Sequence, residues 1–494
     1  MFDAYITALW MVLDPYVLAV VLASSIYGLV VGCIPGLSAT MATALLVPLT
    51  FFMPPLPAIA AIVSCSTMAI FSGDIPGCLL RMPGTPASAA YVDDAYQMTL
   101  QGRPGFALGI GLVFSAIGGM FGTAVMMLAS PAIADFALSF GSVEFFWIVM
   151  LGLGGAIFIG SASPLKACVT LLLGLAISSI GINNAAGVPR FTFGSTELMG
   201  GISLIPMLVG MFAISEVLRH MVSGDSIGAV TTHRVGAIFR GMWRLAIVYP
   251  WQWIRGSILG TIIGIQPGSG ADMAAWMSYA MSKRFSKEPE KFGKGHPEGL
   301  IEAGASNNSA LAGAWIPALV FSIPGDSITA IAIGVLMMKN MTPGPTIFVN
   351  SPEKVYALFL IFVLANILMI PLGWVMIRIA SRVLKMPRSV LMPVILLLAM
   401  IGSFAINNSL FDVGVMLGFG ILAFFLDENG FPVAPAILGV VLGQMLEENF
   451  VNSMIKADGN LIGLVNRPIA AVLAVLTAVT IGWSLLAAWR SMRR

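Results

Sequence analysis

Charged residues are scarce in this sequence. Asp, Glu, Lys and Arg make up only 10% of its 494 residues, against roughly 25% in a typical soluble protein. A soluble chain of this length would divide into several domains with polar surfaces between them, and too few charges are present to cover such surfaces. Because 58% of the residues are hydrophobic and the mean hydropathy is +0.94, the composition predicts a polytopic integral membrane protein.

The residue types that build metal centres and catalytic sites are also few. The three histidines lie in charged loops, the four cysteines stand apart without a CxxC pair, and the sequence contains no P-loop motif. These absences argue against a structural metal site, a disulfide framework and ATP hydrolysis by this chain. The N-terminal segment 1–15 lacks the positive region of a cleaved signal peptide, and we interpret it as a short interfacial helix.

Long apolar stretches recur along the chain, for example at 106–129, 143–162, 355–377 and 466–489. Each is as long as the stretch of about 20 residues that a helix needs to cross a bilayer. Strands of a membrane barrel would instead alternate apolar and polar residues over about 10 residues. We therefore expect an all-α fold.

Two blocks of sequence recur in the same order. Residues 28–42, GLVVGCIPGLSATMA, resemble residues 260–274, GTIIGIQPGSGADMA, at an offset of 232. Residues 75–84, IPGCLLRMPG, resemble residues 316–325, IPALVFSIPG, at an offset of 241. The longer second offset reflects an insertion, the polar loop 283–299. The sequence therefore predicts two internal repeats.

These repeats define the expected organisation of the chain. We predict an interfacial N-terminal segment (1–15), a first transmembrane repeat (16–222), a cytoplasmic linker (223–246), a second transmembrane repeat (247–455) and one extra C-terminal transmembrane helix (466–489).

The distribution of basic residues predicts that the two repeats have opposite orientations. Lys and Arg cluster at 219–255, 283–294, 378–388 and 490–494, which the positive-inside rule places in the cytoplasm. The first-repeat counterparts of the loops at 283–299 and 378–388 are 52–57 and 132–143, and neither contains a basic residue. Inverted repeats would give this asymmetry. They would place the N-terminus in the periplasm and the C-terminus in the cytoplasm.

Each repeat contains two Pro-Gly dipeptides in apolar surroundings that recur in the other repeat at the same offsets. Pro and Gly interrupt helices, and the small polar residues that follow can cap a new helix. We therefore expect broken helices or re-entrant hairpins; the alternative is simple proline kinks. The dipeptides are Pro35-Gly36, Pro83-Gly84, Pro267-Gly268 and Pro324-Gly325, and the residues that follow them are Ser38, Thr85, Ser269 and Asp326.

Broken helices within a membrane offer sites for ions of both signs. Helix N-termini present free N–H groups that suit a carboxylate, and the ends before each break present carbonyl oxygens that suit Na⁺. The polar runs SCST (64–67) and SNNS (306–309) add side chains that donate and accept hydrogen bonds, although polar contacts between packed helices would explain them equally well. The predicted substrate-binding residues are Gly36, Ser38, Ser66, Gly84, Thr85, Gly268, Ser269, Asn307, Asn308 and Gly325.

Ionisable residues near the breaks are candidates for a cation site, since charges inside a membrane are costly and tend to be functional. The predicted cation ligands are Asp326, Ser327, Asp272 and Asp74. A helix N-cap is the alternative role for Asp326. Arg81 would either meet a substrate carboxylate or reach the membrane interface, and we interpret Asp93 and Asp94 as an exposed amphipathic turn.

With these motifs together, the chain resembles the large membrane subunit of the tripartite tricarboxylate transporters, the TctA family. The resemblance covers nearly the whole sequence. It is carried by PGLSATMA (35–42), IPGCLLRMPGTPASAA (75–90), LVGMFAISEVL (208–218), IQPGSGADMA (265–274), EAGASNNSALAGAWIPALVFSIPGDSITA (302–330) and LGQMLEENF (442–450).

The resemblance implies a bacterial secondary transporter of the inner membrane. Its expected partners are a small four-helix membrane subunit and a soluble periplasmic binding protein that delivers the substrate. The expected substrates are carboxylates such as citrate, and the expected coupling ion is Na⁺, with H⁺ as the alternative; no cofactor is expected. By analogy with other carriers built from inverted repeats, the motion would resemble an elevator.

The leading hypothesis is therefore a cation-coupled carboxylate symporter that works by alternating access. A passive anion channel and a proton-coupled carrier of another organic anion are the alternatives. An enzyme is not expected, because Asp93-Asp94, the acidic pair considered as a metal site, lacks a second acidic cluster or a histidine partner. A scaffold that only docks a binding protein would leave the broken helices unexplained.

Overall fold

The computed structural model describes residues 2–159, 163–183, 187–223, 238–268, 270–384 and 388–492. Their secondary structure is almost entirely helical, which confirms the predicted all-α membrane fold. One feature was not predicted, a two-residue antiparallel hairpin in which β1 (Gly181–Ile182) pairs with β2 (Pro189–Arg190).

The helices of the first half follow the order expected from the Pro-Gly breaks. A π-helical turn (Gly210–Ile214) joins α10 to α11 without interrupting the helix. The helices are α1 (Phe2–Val12), α2 (Pro15–Cys33), α3 (Ala39–Thr50), α4 (Pro55–Ser72), α5 (Asp74–Leu80), α6 (Val92–Leu100), α7 (Pro104–Ala137), α8 (Ser142–Ile159), α9 (Pro164–Ser178), α10 (Leu204–Val209) and α11 (Ser215–Ser223), with 3₁₀ turns at Ser88–Ala90 and Glu197–Gly200.

The second half has a similar order of helices. Most of the predicted linker, residues 224–237, lies outside the described residues. The helices are α12 (Met242–Val248), α13 (Pro250–Ile265), α14 (Gly270–Phe285), α15 (Pro297–Phe321), α16 (Ser327–Met338), α17 (Ile347–Asn350), α18 (Pro352–Val383), α19 (Arg388–Asn407), α20 (Leu410–Glu428), α21 (Val433–Lys456) and α22 (Pro468–Met492), with 3₁₀ turns at Pro289–Lys291 and Leu461–Leu464.

Several of these helices are long and apolar enough to cross a membrane. By length and composition, 6 qualify within the described residues: Pro15–Cys33, Pro55–Leu80, Pro104–Ala137, Leu204–Val222, Pro352–Ala380 and Leu410–Glu428. Shorter apolar helices accompany them, among them α3 and α16, which both begin directly after a break. Short helices of this kind are what interrupted membrane segments should contain.

Proline marks the start of many helices because its missing N–H is not needed in the first helical turn. Helix α2 begins at Pro15, and the side chain of Asp14 accepts a hydrogen bond from Tyr16 N at 2.8 Å. Pro55 and Pro297 begin α4 and α15 in the same way. The predicted N-terminal segment contains α1, whose Tyr5 ring stacks on Tyr356 of α18 with centroids 4.1 Å apart.

Helices α4 and α15 form the centre of the molecule. Every residue from 56 to 72 and from 298 to 320 is buried. Helix α2 packs on α4 within the first half, and α13 packs on α15 within the second. The long helix of each half contacts the central helix of the other, so that α7 packs on α15 and α18 packs on α4.

Glycine allows these central helices to approach backbone to backbone. A Cβ atom on Gly28 would clash with the carbonyl oxygen of Cys65, and one on Gly260 would clash with that of Ser306. Gly28 and Gly260 are related by the offset of 232, and Cys65 and Ser306 by the offset of 241. The same pair of contacts therefore occurs in both halves, at the positions that the sequence repeat relates.

Candidate functional site

The backbone at the breaks has the same geometry in both halves. Gly36 and Gly268 have positive φ angles of 87° and 82°, and Arg81 and Ser322 have φ angles of 60° and 58°. Each pair is related by one of the two sequence offsets. A left-handed residue commonly ends a helix, and Arg81 and Ser322 end α5 and α15 in this way.

In each half, the polar residue after the second Pro-Gly break exchanges two hydrogen bonds with the residue three positions later. Ser88 N donates to the Thr85 hydroxyl and Thr85 N donates to the Ser88 hydroxyl, both at 3.2 Å. In the other half, Thr329 N donates to Asp326 Oδ1 at 2.8 Å, and Asp326 N donates to the Thr329 hydroxyl at 2.9 Å. Asp326 and Thr329 form a capping box that starts α16, and Thr85 and Ser88 make the same reciprocal pair of hydrogen bonds just before the 3₁₀ turn Ser88–Ala90.

The breaks surround a cavity of about 320 Å³. Its wall combines the first turns of α3, α14 and α16 with the residues after the break at Gly84, with one residue each of α4 and α15, and with three residues of α21. The lining residues are Ser38, Ala39, Thr40, Ile70, Thr85, Pro86, Gly268, Gly270, Ala271, Asp272, Met273, Asn307, Asp326, Ser327, Ile328, Ala330, Ala434, Ile437 and Leu438. We call this space the central cavity.

Half of the predicted site residues lie in the wall of the central cavity. They come from segments far apart in the chain and are brought together only by the fold. Of the predicted substrate-binding residues these are Ser38, Thr85, Gly268 and Asn307, and of the predicted cation ligands Asp272, Asp326 and Ser327.

The other predicted residues have different surroundings. A Cβ on Gly84 would lie 2.8 Å from the Gly73 carbonyl oxygen, and one on Gly325 would lie 2.6 Å from that of Gly264, so both glycines permit close packing of the backbone. Gly36 supplies the positive φ angle at the first break. Ser269 lies outside the described residues.

Ser66, Asn308 and Asp74 are buried outside the central cavity. The Ser66 hydroxyl donates to Ile62 O of its own helix at 2.8 Å, and the Asn308 amide faces the Met369 sulfur at 3.6 Å. Asp74 Oδ1 accepts a hydrogen bond from the Tyr91 hydroxyl at 2.5 Å. Of the three, only Asn308 makes the kind of polar contact between packed membrane helices that was the alternative explanation for these polar runs.

The two carboxylates of the central cavity are held by the backbone. Asp272, in the first turn of α14, accepts a hydrogen bond from Ala87 N at 3.0 Å and is accessible from the cavity. Asp326 caps α16 and lies next to Gly270, where a Cβ would come within 2.9 Å of the Asp326 Cβ. Two carboxylates facing one cavity can share a cation.

Asn307 is the buried polar residue in this wall whose bonding is incomplete. Its side chain interacts with the Tyr91 hydroxyl, yet neither its amide nitrogen nor its amide oxygen makes a hydrogen bond of normal geometry within the described part of the chain. A buried amide whose hydrogen bonds are incomplete is costly, and at the wall of a cavity it can complete them by binding a ligand.

The acidic pair near the second break differs from the predicted exposed turn. Asp93 is exposed and pairs with Arg81 at 2.8 Å, so Arg81 lies at the surface and not in the cavity. Asp94 is fully buried, and the prediction of an exposed side chain was wrong for it. Its Oδ1 accepts hydrogen bonds from Gly295 N at 2.8 Å and His296 N at 2.9 Å. Asp94 thus ties α6 to the loop before α15.

No cluster of three or more His, Cys, Asp or Glu side chains suited to a metal ion occurs among the residues that were described. The central cavity offers instead two carboxylates, hydroxyl groups and an amide. These oxygen donors suit a hard cation better than a softer transition metal, which would prefer imidazole or thiolate ligands.

Several lining residues were missed by sequence reasoning. Thr40 is related to Asp272 by the offset of 232, so the repeat alone could have found it. Ile70 and the α21 residues Ala434, Ile437 and Leu438 are ordinary apolar residues in apolar helices. Their sequence gives no signal, because only the packing of α21 across the breaks makes them part of the wall.

A second and larger cavity, of about 780 Å³, lies beside α21 and the β1–β2 hairpin. Arg190 and Glu447 form an ion pair in its wall, with Nη2 and Oε2 2.7 Å apart. The Asn183 amide also donates to Glu447, at 2.7 Å. Because the Arg190 guanidinium and the Glu447 carboxylate neutralise one another, we interpret this pair as structural.

Comparison with known proteins finds one relative that spans nearly the whole chain and a shorter one that matches about half of it. An uncharacterized 52.8 kDa protein in the TAR-I ttuC' 3' region of Agrobacterium vitis is 34% identical over 466 residues, which cover 94% of this chain and 92% of that protein. An uncharacterized protein in the TAR-II ttuC' 3' region of the same organism is 35% identical over 234 residues, covering 47% of this chain and 97% of that protein. No solved structure matches the chain.

A family model gives the assignment. The model described as the tripartite tricarboxylate transporter TctA family matches residues 18–438. This match includes all four breaks and every residue of the central cavity. The chain belongs to the tripartite tricarboxylate transporter TctA family.

Proposed function

We propose that this chain is the large transmembrane subunit of a binding-protein-dependent secondary transporter that imports a di- or tricarboxylate by Na⁺ symport. Family membership establishes the coarser statement, that the chain is a subunit of a tricarboxylate transporter and not an enzyme. The finer proposal rests on one observation: all four breaks meet at a cavity that contains Asp272, Asp326 and Asn307.

The central cavity has the size and chemistry that this function requires. A volume of about 320 Å³ falls at the lower end of the usual range for small-molecule sites, which is roughly 300–1,000 Å³. Its hydroxyl groups, amide and helix N-termini suit an organic anion, and its two carboxylates suit a cation. A site that takes both ions together is what symport needs.

Alternating access follows from the proposed inverted repeats. Two halves of opposite orientation around one cavity can present that cavity to either side of the membrane in turn. The glycine-lined contacts of α2 with α4 and of α13 with α15 would keep each pair rigid. An elevator-like motion of the broken helices against the other helices fits this arrangement.

We propose the partners and location that accompany such a system. A small four-helix membrane subunit would pack against the apolar outer helices, and a periplasmic binding protein would deliver the carboxylate from outside. The protein would lie in the bacterial inner membrane with its C-terminus in the cytoplasm, in agreement with the basic loops at 283–294 and 378–388.

Uptake into liposomes tests this proposal. The chain, its small subunit and its binding protein would be reconstituted together, and labelled citrate and succinate would be followed with an inward Na⁺ gradient or with K⁺ in its place. We expect accumulation above equilibrium that requires Na⁺ and the binding protein. Accumulation driven by a pH gradient alone would show that H⁺, and not Na⁺, is the coupling ion. Equilibration that never exceeds the outside concentration would contradict symport and indicate a passive channel.

A further inference from the structure

The two halves do not contribute equally to the charge of the central cavity. The two sequence offsets relate Asp272 to Thr40 and Asp326 to Thr85. In each pair, half two supplies a carboxylate where half one supplies a threonine. The half-one wall consists of residues 38–40, Ile70, Thr85 and Pro86, and it carries no charged side chain. The related backbone therefore encloses an electrically asymmetric space.

The helix N-termini at the cavity show the same difference in charge between the two halves. Asp326 caps α16, and Asp272 lies in the first turn of α14 and also accepts a hydrogen bond from Ala87 N in half one. Helix α3 is capped by the neutral Ser38, whose hydroxyl accepts from Met41 N at 3.1 Å, and its first turn contains no acidic residue. Among the described helices that begin at this cavity, α3 alone has an N-terminus without a carboxylate.

Asn307 provides an independent indication of a ligand. It is fully buried, it lies in the cavity wall, and both of its amide atoms lack a normal hydrogen bond within the described residues. Its counterpart Ser66 satisfies its hydroxyl on its own helix. An amide can donate to an anion through nitrogen and bind a cation through oxygen at the same time.

We propose that the central cavity is polarised, with one anionic and one cationic subsite. A carboxylate group of the substrate binds at the N-terminus of α3, at Ser38 and Thr40, and the Asn307 nitrogen donates to it. The coupling cation binds between Asp272 and Asp326 in half two, and the Asn307 oxygen completes its ligands. This inference rests on the proposed function and specifies where each ion lies.

The polarity implies an order of binding. Two carboxylates in a desolvated cavity repel an incoming anion, and a bound cation removes that repulsion. The cation therefore binds first: it binds in the absence of substrate, whereas the substrate binds only weakly in the absence of the cation. An arrangement with both ions shared equally by the halves would give no such order.

Thermal stability of the purified full-length chain in detergent provides the test, since a ligand that binds the folded state raises Tm. The probes are Na⁺ with K⁺ as the control salt, and citrate and succinate added in either salt. Thr40→Val removes one hydroxyl from the anionic subsite at nearly constant shape. Asp272→Asn removes one charge from the cationic subsite. Thr43→Val is the matched control, because the Thr43 hydroxyl donates to Ala39 O within α3 and lies outside the cavity.

The polarised site predicts a different loss for each variant. Thr40→Val should weaken citrate or succinate binding about tenfold and leave the Na⁺ response intact. Asp272→Asn should remove the Na⁺ response and with it the carboxylate response, and Thr43→Val should keep both. Equal weakening of both responses by Thr40→Val, or an intact Na⁺ response in Asp272→Asn, would overturn the polarity. A wild-type chain that responds to neither ion would count instead against the proposed function.

Discussion

Single residues at the breaks have roles that the structure distinguishes. Asp326 forms the helix cap that was its alternative role and also lies in the wall of the central cavity; its role as a cation ligand stays a prediction. Gly84 and Gly325 permit close packing of the backbone, although they belong to the same kind of Pro-Gly dipeptide. A shared sequence pattern therefore identifies the region of the site, and the side chain at each position decides its role.

Substitution of Asp326 separates capping from cation binding. Asp326→Asn retains an oxygen that can accept from Thr329 N, so we expect stability close to that of the wild type but loss of Na⁺-dependent uptake. Asp326→Ala also removes the cap, at a cost of about 0.5–2 kcal/mol. The control Thr329→Val breaks the reciprocal cap without changing charge. Na⁺-dependent uptake that survives in Asp326→Asn would show that the residue is only a cap.

The glycines between central helices should tolerate no side chain. A Cβ on Gly260 would clash with the Ser306 carbonyl oxygen, so Gly260→Val should lower the free energy of unfolding by about 1–3 kcal/mol or more. Gly414 in α20 has open space around its Cβ position, and Gly414→Val is the matched control. The midpoint of thermal unfolding in detergent measures both. Equal stability of the two variants would contradict the close packing of α13 on α15.

At the scale of helices, contacts between the halves hold the breaks in place. The Trp276 indole of α14 donates to Pro86 O at 3.1 Å, beside the hydrogen bond between Asp272 and Ala87. One end of α14 is thereby attached to the second break of the first half. Movement of the broken helices would carry both segments together.

Asp94 attaches α6 to the loop before α15 and should contribute to stability. Asp94→Ala leaves Gly295 N and His296 N without their acceptor, and we expect a loss of about 1–3 kcal/mol. Asp93→Ala is the matched control, since its ion pair with Arg81 is exposed and should contribute at most about 1 kcal/mol. Chemical or thermal unfolding of both variants measures the difference. An equal effect would show that Asp94 has no special role.

The helices themselves were largely predictable from sequence. Apolar length predicted α7, α8, α18 and α22 to within several residues at most ends, and the Pro-Gly dipeptides predicted the breaks after α2, α5, α13 and α15. The β1–β2 hairpin and the π-helical turn before α11 were not predicted. Both depend on contacts that are remote in sequence: Arg190 of the hairpin pairs with Glu447, and a Cβ on Gly210 would clash with the Met416 backbone.

The site was predictable in part for a related reason. The repeat and the capping residues led to Ser38, Thr85, Asp272 and Asp326, because a break has a local signature in sequence. Ser66, Asn307 and Asn308 share the same polar character, and only the rotation of each helix decides that Asn307 faces the cavity. That rotation is set by packing, which a polar run does not reveal.

At the scale of the whole molecule, the halves are interlocked. Helix α7 of the first half packs on α15 of the second, and α18 of the second packs on α4 of the first. The central cavity draws its wall from both halves. Neither repeat is therefore expected to form the site alone. A change in the relative position of the two halves would change access to the cavity.

The inverted orientation of the repeats has its own test. Phe52 is 70% exposed in the loop before α4, and Lys287 is exposed in the equivalent loop before α15. A membrane-impermeant maleimide should label Phe52→Cys in intact spheroplasts, and it should label Lys287→Cys only after the membrane is opened. The native cysteines, three buried and one partly buried, provide the background. Labelling of both sites from the same side would contradict inverted repeats.

The central claim is that carboxylate and cation bind in the cavity formed by the breaks, and ligand protection of a cysteine placed there tests it most directly. Ser327 lies in the cavity wall, whereas Gly187 lies in the β1–β2 loop with no atom near its Cβ position. We expect citrate and Na⁺ together to slow maleimide labelling of Ser327→Cys and to leave Gly187→Cys unchanged. Labelling of Ser327→Cys at the same rate with and without both ions would contradict the account.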